Sequence, residues 1–211
     1  MTATLTPSVE RVQLSGISWQ TYEALLAELS HQRRLRLTYN RGNLEILVPF
    51  AEHERYKEVM GRFVETLAEE LAIRIEPFGS TTFKRSGLSG AEPDECFYVH
   101  NIDIVKAKKR LDPKEDPVPD LVVEIDMTSS SHERLAVYKD LGVSEVWIYD
   151  GKSFQIMQFQ NQEYVPCSGS LIFPNLPLLE IGGFLQQIGT IDYLELVKTF
   201  RGWVRSQIQS S

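Results

Sequence analysis

Glu124 interrupts the most strand-like run in the chain, Leu121-Val122-Val123-Glu124-Ile125. A run apolar on both sides suits the centre of a sheet covered on both faces. A carboxylate there is costly to bury unless it is paired, protonated or bound to a metal. Strand alternation sets Asp120, Val122, Glu124 and Asp126 on one face, and acids crowded on a buried face repel one another unless a cation sits among them. Either Glu124 bonds a nearby arginine or a helix N-terminus, or the acids hold a metal ion. Asp94 is the second candidate. It follows Glu92-Pro93 and opens the run Glu95-Cys96-Phe97-Tyr98-Val99, where Pro-Asp alone is ordinary turn chemistry. Beside an acidic strand later in the chain, it becomes a partner for Glu124. Two or three carboxylate oxygens converging on one point are what Mg2+ takes, with water and phosphate oxygens filling the rest of its octahedron. Such an ion polarises a phosphodiester and lowers the pKa of a bound water for in-line attack.

Other chemistries find little support. No glycine-rich phosphate loop is present. Ser129, Ser130 and Ser131 have no histidine with an orienting acid beside them, and His132 reads as a first-turn helix residue, so serine hydrolysis is not expected. Cys96 and Cys167 stand alone in unlike contexts, too few for a zinc cage and no basis for a disulfide scaffold. No apolar run approaches the roughly 20 residues of a membrane helix, and Met1 to Pro7 show no basic region before a hydrophobic core. A reduced, cytoplasmic protein is the expectation. The net charge of −7 argues against indiscriminate nucleic-acid binding. It leaves room for a local basic face at Arg33-Arg34-Leu35-Arg36 or at Lys106-Ala107-Lys108-Lys109-Arg110, although either alone reads as a solvated run.

The elements that must position these acids follow from periodicity. With 211 residues, 42% hydrophobic and 24% charged, the chain suits one globular domain with a sizeable core. We expect loose residues 1–17 and a single domain over 18–211. Ser18 offers a helix N-cap ahead of Trp19, Tyr22, Leu25, Leu26 and Leu29 at helical spacing. Leu35–Tyr39 and Leu44–Val48 alternate on either side of a Gly-containing turn, which predicts a β-hairpin. From Ala51 to Ala72 the stripe Tyr56, Met60, Phe63, Leu67 and Leu71 predicts an amphipathic helix. Strands are expected at 73–76, 81–85 and 94–99, then a long charged connection from Asn101 to Pro119. The serine run caps a helix through Leu135, Tyr138 and Leu141 that Gly142 stops, and Val146-Trp147-Ile148-Tyr149 returns as a strand. Strand, helix, strand at this length is a parallel crossover. An edge hairpin over 154–165 and a C-terminal helix over 190–209 complete an α/β domain.

Several of these segments together resemble one family. They are Glu92-Pro93-Asp94, Pro119-Asp120-Leu121-Val122-Val123-Glu124-Ile125, Thr128 to Ser131, Tyr138, and Leu141-Gly142-Val143-Ser144-Glu145-Val146-Trp147. The chain is similar to the Uma-type restriction-endonuclease-like proteins over roughly 35–183, with 119–150 the specific part; Pro49, His53 and the following helix also match. The resemblance implies the PD-(D/E)xK nuclease fold: a mixed central sheet flanked by helices, here with an N-terminal helix and hairpin and a C-terminal helix. It implies a metal-dependent endonuclease with Mg2+ or Mn2+ as cofactor. The expected partners are DNA and a second copy of the chain as a homodimer. Within that motif the first acid falls on Asp94 and the second on Glu124, with Asp120 or Asp126 assisting. The motif's lysine position holds Asp126. Many members carry a lysine at the start of the following helix, where this chain has Arg134, a cation that cannot act as a base. Lys84 is the other candidate cation, provided its strand pairs directly with the one bearing Asp94. His53 and Glu58 lie in the long helix, which in this superfamily often contributes an acid. A relative that has lost catalysis and only binds nucleic acid or a protein is the alternative. Neutralising either acid is expected to maintain or raise stability by relieving repulsion.

Overall fold

The structure, a computed structural model, describes residues 9–29, 35–112, 115–127 and 131–210. Val9–Leu14 (β1), the helix Trp19–Leu29 (α1), and the strands Arg36–Asn40 (β2) and Asn43–Pro49 (β3) come first. Ser18 caps α1, its Oγ accepting the Thr21 N–H at 3.1 Å. The β2–β3 hairpin closes through Arg41 and Gly42, both at positive φ, which is what a two-residue turn matched to strand twist requires. Ala51–Leu71 (α2) follows, then Glu76–Pro77 (β4), Phe83–Arg85 (β5), Ser89–Ala91 (β6) and Glu95–Tyr98 (β7). Ile102–Val105 (α3) falls in the expected connection. Leu121–Ile125 (β8), Ser131–Leu141 (α4) and Glu145–Tyr149 (β9) form the crossover, with β8 and β9 parallel. Phe154–Gln160 (β10), Glu163–Cys167 (β11), Ile181–Leu185 (α5) and Tyr193–Ser210 (α6) complete the chain.

The strands form two sheets. One runs β11-β10-β9-β8-β7-β4, with β8 and β9 parallel and the other neighbours antiparallel. Leu121, Val123 and Ile125 face a core built with α2, α5 and α6, where Phe63 and Phe200 stack at 4.0 Å between centroids. Val122, Val146 and Ile148 face the opposite core with Val137 and Tyr138 of α4. The second sheet is antiparallel, β1-β3-β2-β6-β5. Thus the expected hairpin is the middle of a five-stranded sheet, and β6 is an additional strand.

The start of the chain departs from the sequence expectation. Residues 9–14, expected to be loose, pair with β3 from Val9↔Pro49 to Leu14↔Leu44. Its alternation is inverted, with Val12 and Leu14 exposed while Arg11 turns inward. The inward face of the second sheet is polar, so hydrophobic periodicity gave no signal. Across the register, Arg11, Gln13, Arg36, Thr38, Glu45 and Leu47 share this face. Leu37, Tyr39 and Leu44 lie on the other face against α1. Helix α4 contacts β2, β5 and β6 as well as packing on the main sheet, so it lies between the two sheets.

Gly90 of β6 makes a close approach possible. A Cβ there would lie well inside van der Waals contact distance of the Tyr22 hydroxyl oxygen, and Tyr22 is fully buried against Tyr39, stacked at 5.0 Å. No helix among the described residues is long and apolar enough to cross a membrane.

Candidate active site between the two sheets

The chain leaves β6 of one sheet and enters β7 of the other through Glu92-Pro93-Asp94. Glu92 pins this seam: its Oε1 accepts from Thr82 Oγ1 at 2.6 Å and its Oε2 from the Leu37 N–H at 3.5 Å. Asp94 stands one residue before β7. The register Glu95↔Val123 carries it opposite Glu124 when extended by one pair. Alternation places both acids on the α4 side, together with Cys96 and Val122. Their relative exposures are 1% for Asp94 and 2% for Glu124. The two acids therefore share one buried face.

Each acid has a cation. His53, in the first turn of α2 and 1% exposed, brings Nε2 within 3.2 Å of Asp94 Oδ2. The Ile125 N–H donates to the same oxygen at 2.8 Å. Burial opposes the Asp94 charge, but His53, Arg134 and the Ile125 N–H hold its carboxyl below the usual range. Burial likewise disfavours charge on His53, yet Asp94 and Glu54 outweigh it and raise the imidazole to about 9. Arg134 of α4, 5% exposed, donates from Nη1 to Glu124 Oε2, and the Tyr138 hydroxyl donates to Oε1. Burial lifts Glu124 to about 7 against the pull of Arg134. The Arg134 charge, opposed by burial, is sustained by Glu124, Asp94 and Glu45.

The other expected residues separate into three groups. Asp126 is buried two residues beyond Glu124, its N–H on Tyr149 O at 2.8 Å. Asp120 is elsewhere. Four residues of extended chain put it about 13 Å along the strand from Glu124, too far to share an ion whose ligands sit at about 2.1 Å. Its Oδ2 accepts the Val99 and His100 N–H groups at 2.7 and 3.0 Å. Lys84 also falls outside the site. Strand β5 pairs with β6, not β7, and the row Tyr39, Gly90, Lys84 lies on the α1 face, where Lys84 Nζ meets Glu23 Oε1 at 3.2 Å. Glu58 is exposed on α2. The serine run at 129–130 lies outside the described residues.

Two participants were not singled out from sequence. Tyr138 stood in the helical stripe and among the segments of the family resemblance, with no site role attached to it. Glu45 stood in the expected hairpin with no role attached to it; its polar row-mates Arg36 and Thr38 were the available signal that this face is not an ordinary core face.

The donor set fits a hard divalent cation held in part by protein. Asp94 and Glu124 are carboxylates on one face, and Mg2+ commonly takes only one or two carboxylates, with water and phosphate completing its shell; an ion on Glu124 would take an oxygen that now accepts from Arg134 or Tyr138. Among the described residues no group of three or more His, Cys, Asp or Glu side chains could hold a metal ion, so a closed all-protein cage is not what this arrangement offers.

Comparison with known proteins agrees with the fold. A crystal structure titled as a "putative nuclease belonging to DUF820" from Anabaena variabilis superposes with a TM-score of 0.55 at 13% identity, covering 81% of this chain and 98% of that one. No curated protein matches the chain. The model of the Uma2 family, described as "Putative restriction endonuclease", matches residues 19–183, and the chain belongs to that family.

Proposed function

We propose that this protein is a metal-dependent endonuclease that hydrolyses DNA phosphodiester bonds, with Asp94 and Glu124 holding Mg2+ or Mn2+. The observation that carries this reading is the pair of acids on one buried face, with the Arg134 guanidinium on the second of them. A bound divalent ion would supply Lewis-acid polarisation of the phosphodiester and a more acidic water. His53 and the Ile125 N–H keep Asp94 ionised and oriented through one oxygen. Arg134 supplies a fixed positive charge for the phosphate oxygens on which charge develops, and as an arginine it carries no base role. Asp126, one residue past the end of β8, adds a third buried carboxylate two residues beyond Glu124.

The test is cleavage of plasmid, single-stranded and branched DNA, and RNA, with and without Mg2+ or Mn2+. Metal-dependent cutting of DNA supports the reading, and preference for RNA would reassign the substrate.

A second reading, a relative that binds nucleic acid or protein without cutting, is favoured by the internal pairing of the acids. Asp94 faces His53, Glu124 faces Arg134, and Glu45 faces both Arg11 and Arg134. Absence of cleavage under every condition above would select it.

A further inference from the structure

Arg134 is shared by two carboxylates that come from different sheets. Its Nη1 donates to Glu124 Oε2 on β8, and its Nη2 donates to Glu45 Oε1 on β3 at 3.2 Å. Glu45 is 5% exposed, and its other oxygen lies 2.5 Å from Arg11 Nε on β1. A buried carboxylate between two arginines is not the cheapest way to fill a sheet face, since apolar residues of similar volume serve as well or better. Its arrangement does suit one task. The guanidinium cannot lose its proton, and its planar fork can satisfy two acceptors at once. A divalent ion on Glu124 would repel an arginine anchored there alone, because like charges at short range in a buried site interact strongly.

We propose that Glu45 is a positioning residue for Arg134. It retains the guanidinium beside the site when Glu124 turns its oxygens to a divalent cation, and Arg11 fixes Glu45 in turn. The N-terminal sheet, including β1, is thereby part of the active-site machinery. This inference rests on the nuclease reading, because it needs Glu124 to accept a metal.

The experiment measures Mn2+ alone binding to the full chain by calorimetry, for wild type, Glu45→Gln, Arg134→Met and the double variant, alongside kcat and KM on plasmid. Glu45→Gln should weaken Mn2+ binding about tenfold and lower kcat with little change in KM, because Arg134 then has Glu124 as its remaining acid partner. Adding Arg134→Met should abolish that effect of Glu45→Gln, as coupled neighbours require. An unchanged Mn2+ affinity in folded Glu45→Gln, with only thermal stability reduced, would overturn the proposal while leaving the nuclease reading intact. A wild type that takes up no Mn2+ and cuts no DNA would overturn both. If Glu45→Gln fails to fold, NMR of the Arg134 guanidinium in wild type decides. Retention of a restrained Nη group in saturating Mg2+ supports the proposal, and free rotation of the guanidinium overturns it.

Discussion

The backbone N–H of Ile125 donates to Asp94 Oδ2 at 2.8 Å, tying the acid at the entrance of β7 to the residue beside Glu124 on β8. The hydrogen-bond ladder that pairs the strands therefore also orients the site. The first consequence concerns stability. Mutual repulsion between the acids predicted that neutralising one would be harmless, but the structure gives each a cation. Glu124→Gln leaves Arg134, which cannot discharge, with Glu45 as its remaining hydrogen-bonded acid and Asp94 acting at longer range. Removing one member of a buried pair costs about 3–5 kcal/mol when the other charge is left uncompensated, and with Glu45 still on Arg134 we expect a loss toward the low end of that range. Asp94→Asn should cost less, about 1 kcal/mol, because His53 can release its proton. Chemical denaturation of both variants without metal checks the order.

The His53 imidazole gives a pH signature in the metal-free protein. Its folded value of about 9 lies above the ordinary 6.5. The associated stability is therefore fully present below pH 6.5 and is lost as pH rises through 9. Asp94→Asn removes the principal attraction, leaving burial opposed by Glu54 alone, so the imidazole pKa falls. Histidine NMR titration should show a downward move in the variant; an unchanged midpoint would disprove the pairing.

Gly90→Ala should destabilise the N-terminal sheet, since the added methyl meets the buried Tyr22 hydroxyl. Overpacking of this kind costs about 1–3 kcal/mol. Thermal unfolding of Gly90→Ala, and of Gly90→Ala with Tyr22→Phe, would show the loss and its partial recovery.

The two candidate cations separate cleanly. Arg134→Ala should lower the cleavage rate roughly a hundredfold or more at saturating metal. Lys84→Ala should leave it unchanged, because Lys84 pairs with Glu23 on the α1 face. A rate loss in Lys84→Ala equal to that in Arg134→Ala would contradict this placement.

The β8–α4–β9 crossover was legible because Leu121 to Ile125 are apolar on both faces and Gly142 follows the helical stripe directly. Strand β1 was not, because Val12 and Leu14 point outward while Arg11 and Gln13 lie on the inward row. The pairing of β6 with β2 joins residues distant in sequence, and Ser89-Gly90-Ala91 carries no β-branched or aromatic signal. At the site, Asp94 and Glu124 declared themselves by acidity at strand positions, whereas Asp120 shares their pattern but sits at the wrong end of the strand. Alternation gives the face, spacing along the strand removes Asp120, and register sets Asp94 opposite Glu124. Glu45 was hidden because a polar row directed at another layer of the same protein looks like one directed at water.

The most direct measurement is plasmid cleavage by wild type, Asp94→Asn and Glu124→Gln, each confirmed folded, with Mg2+ or Mn2+ and with chelator. We expect cutting by wild type only when metal is present, and none by either variant. Undiminished cutting by both variants, or cutting in chelator, would contradict the assignment of Asp94 and Glu124 as the metal-holding pair.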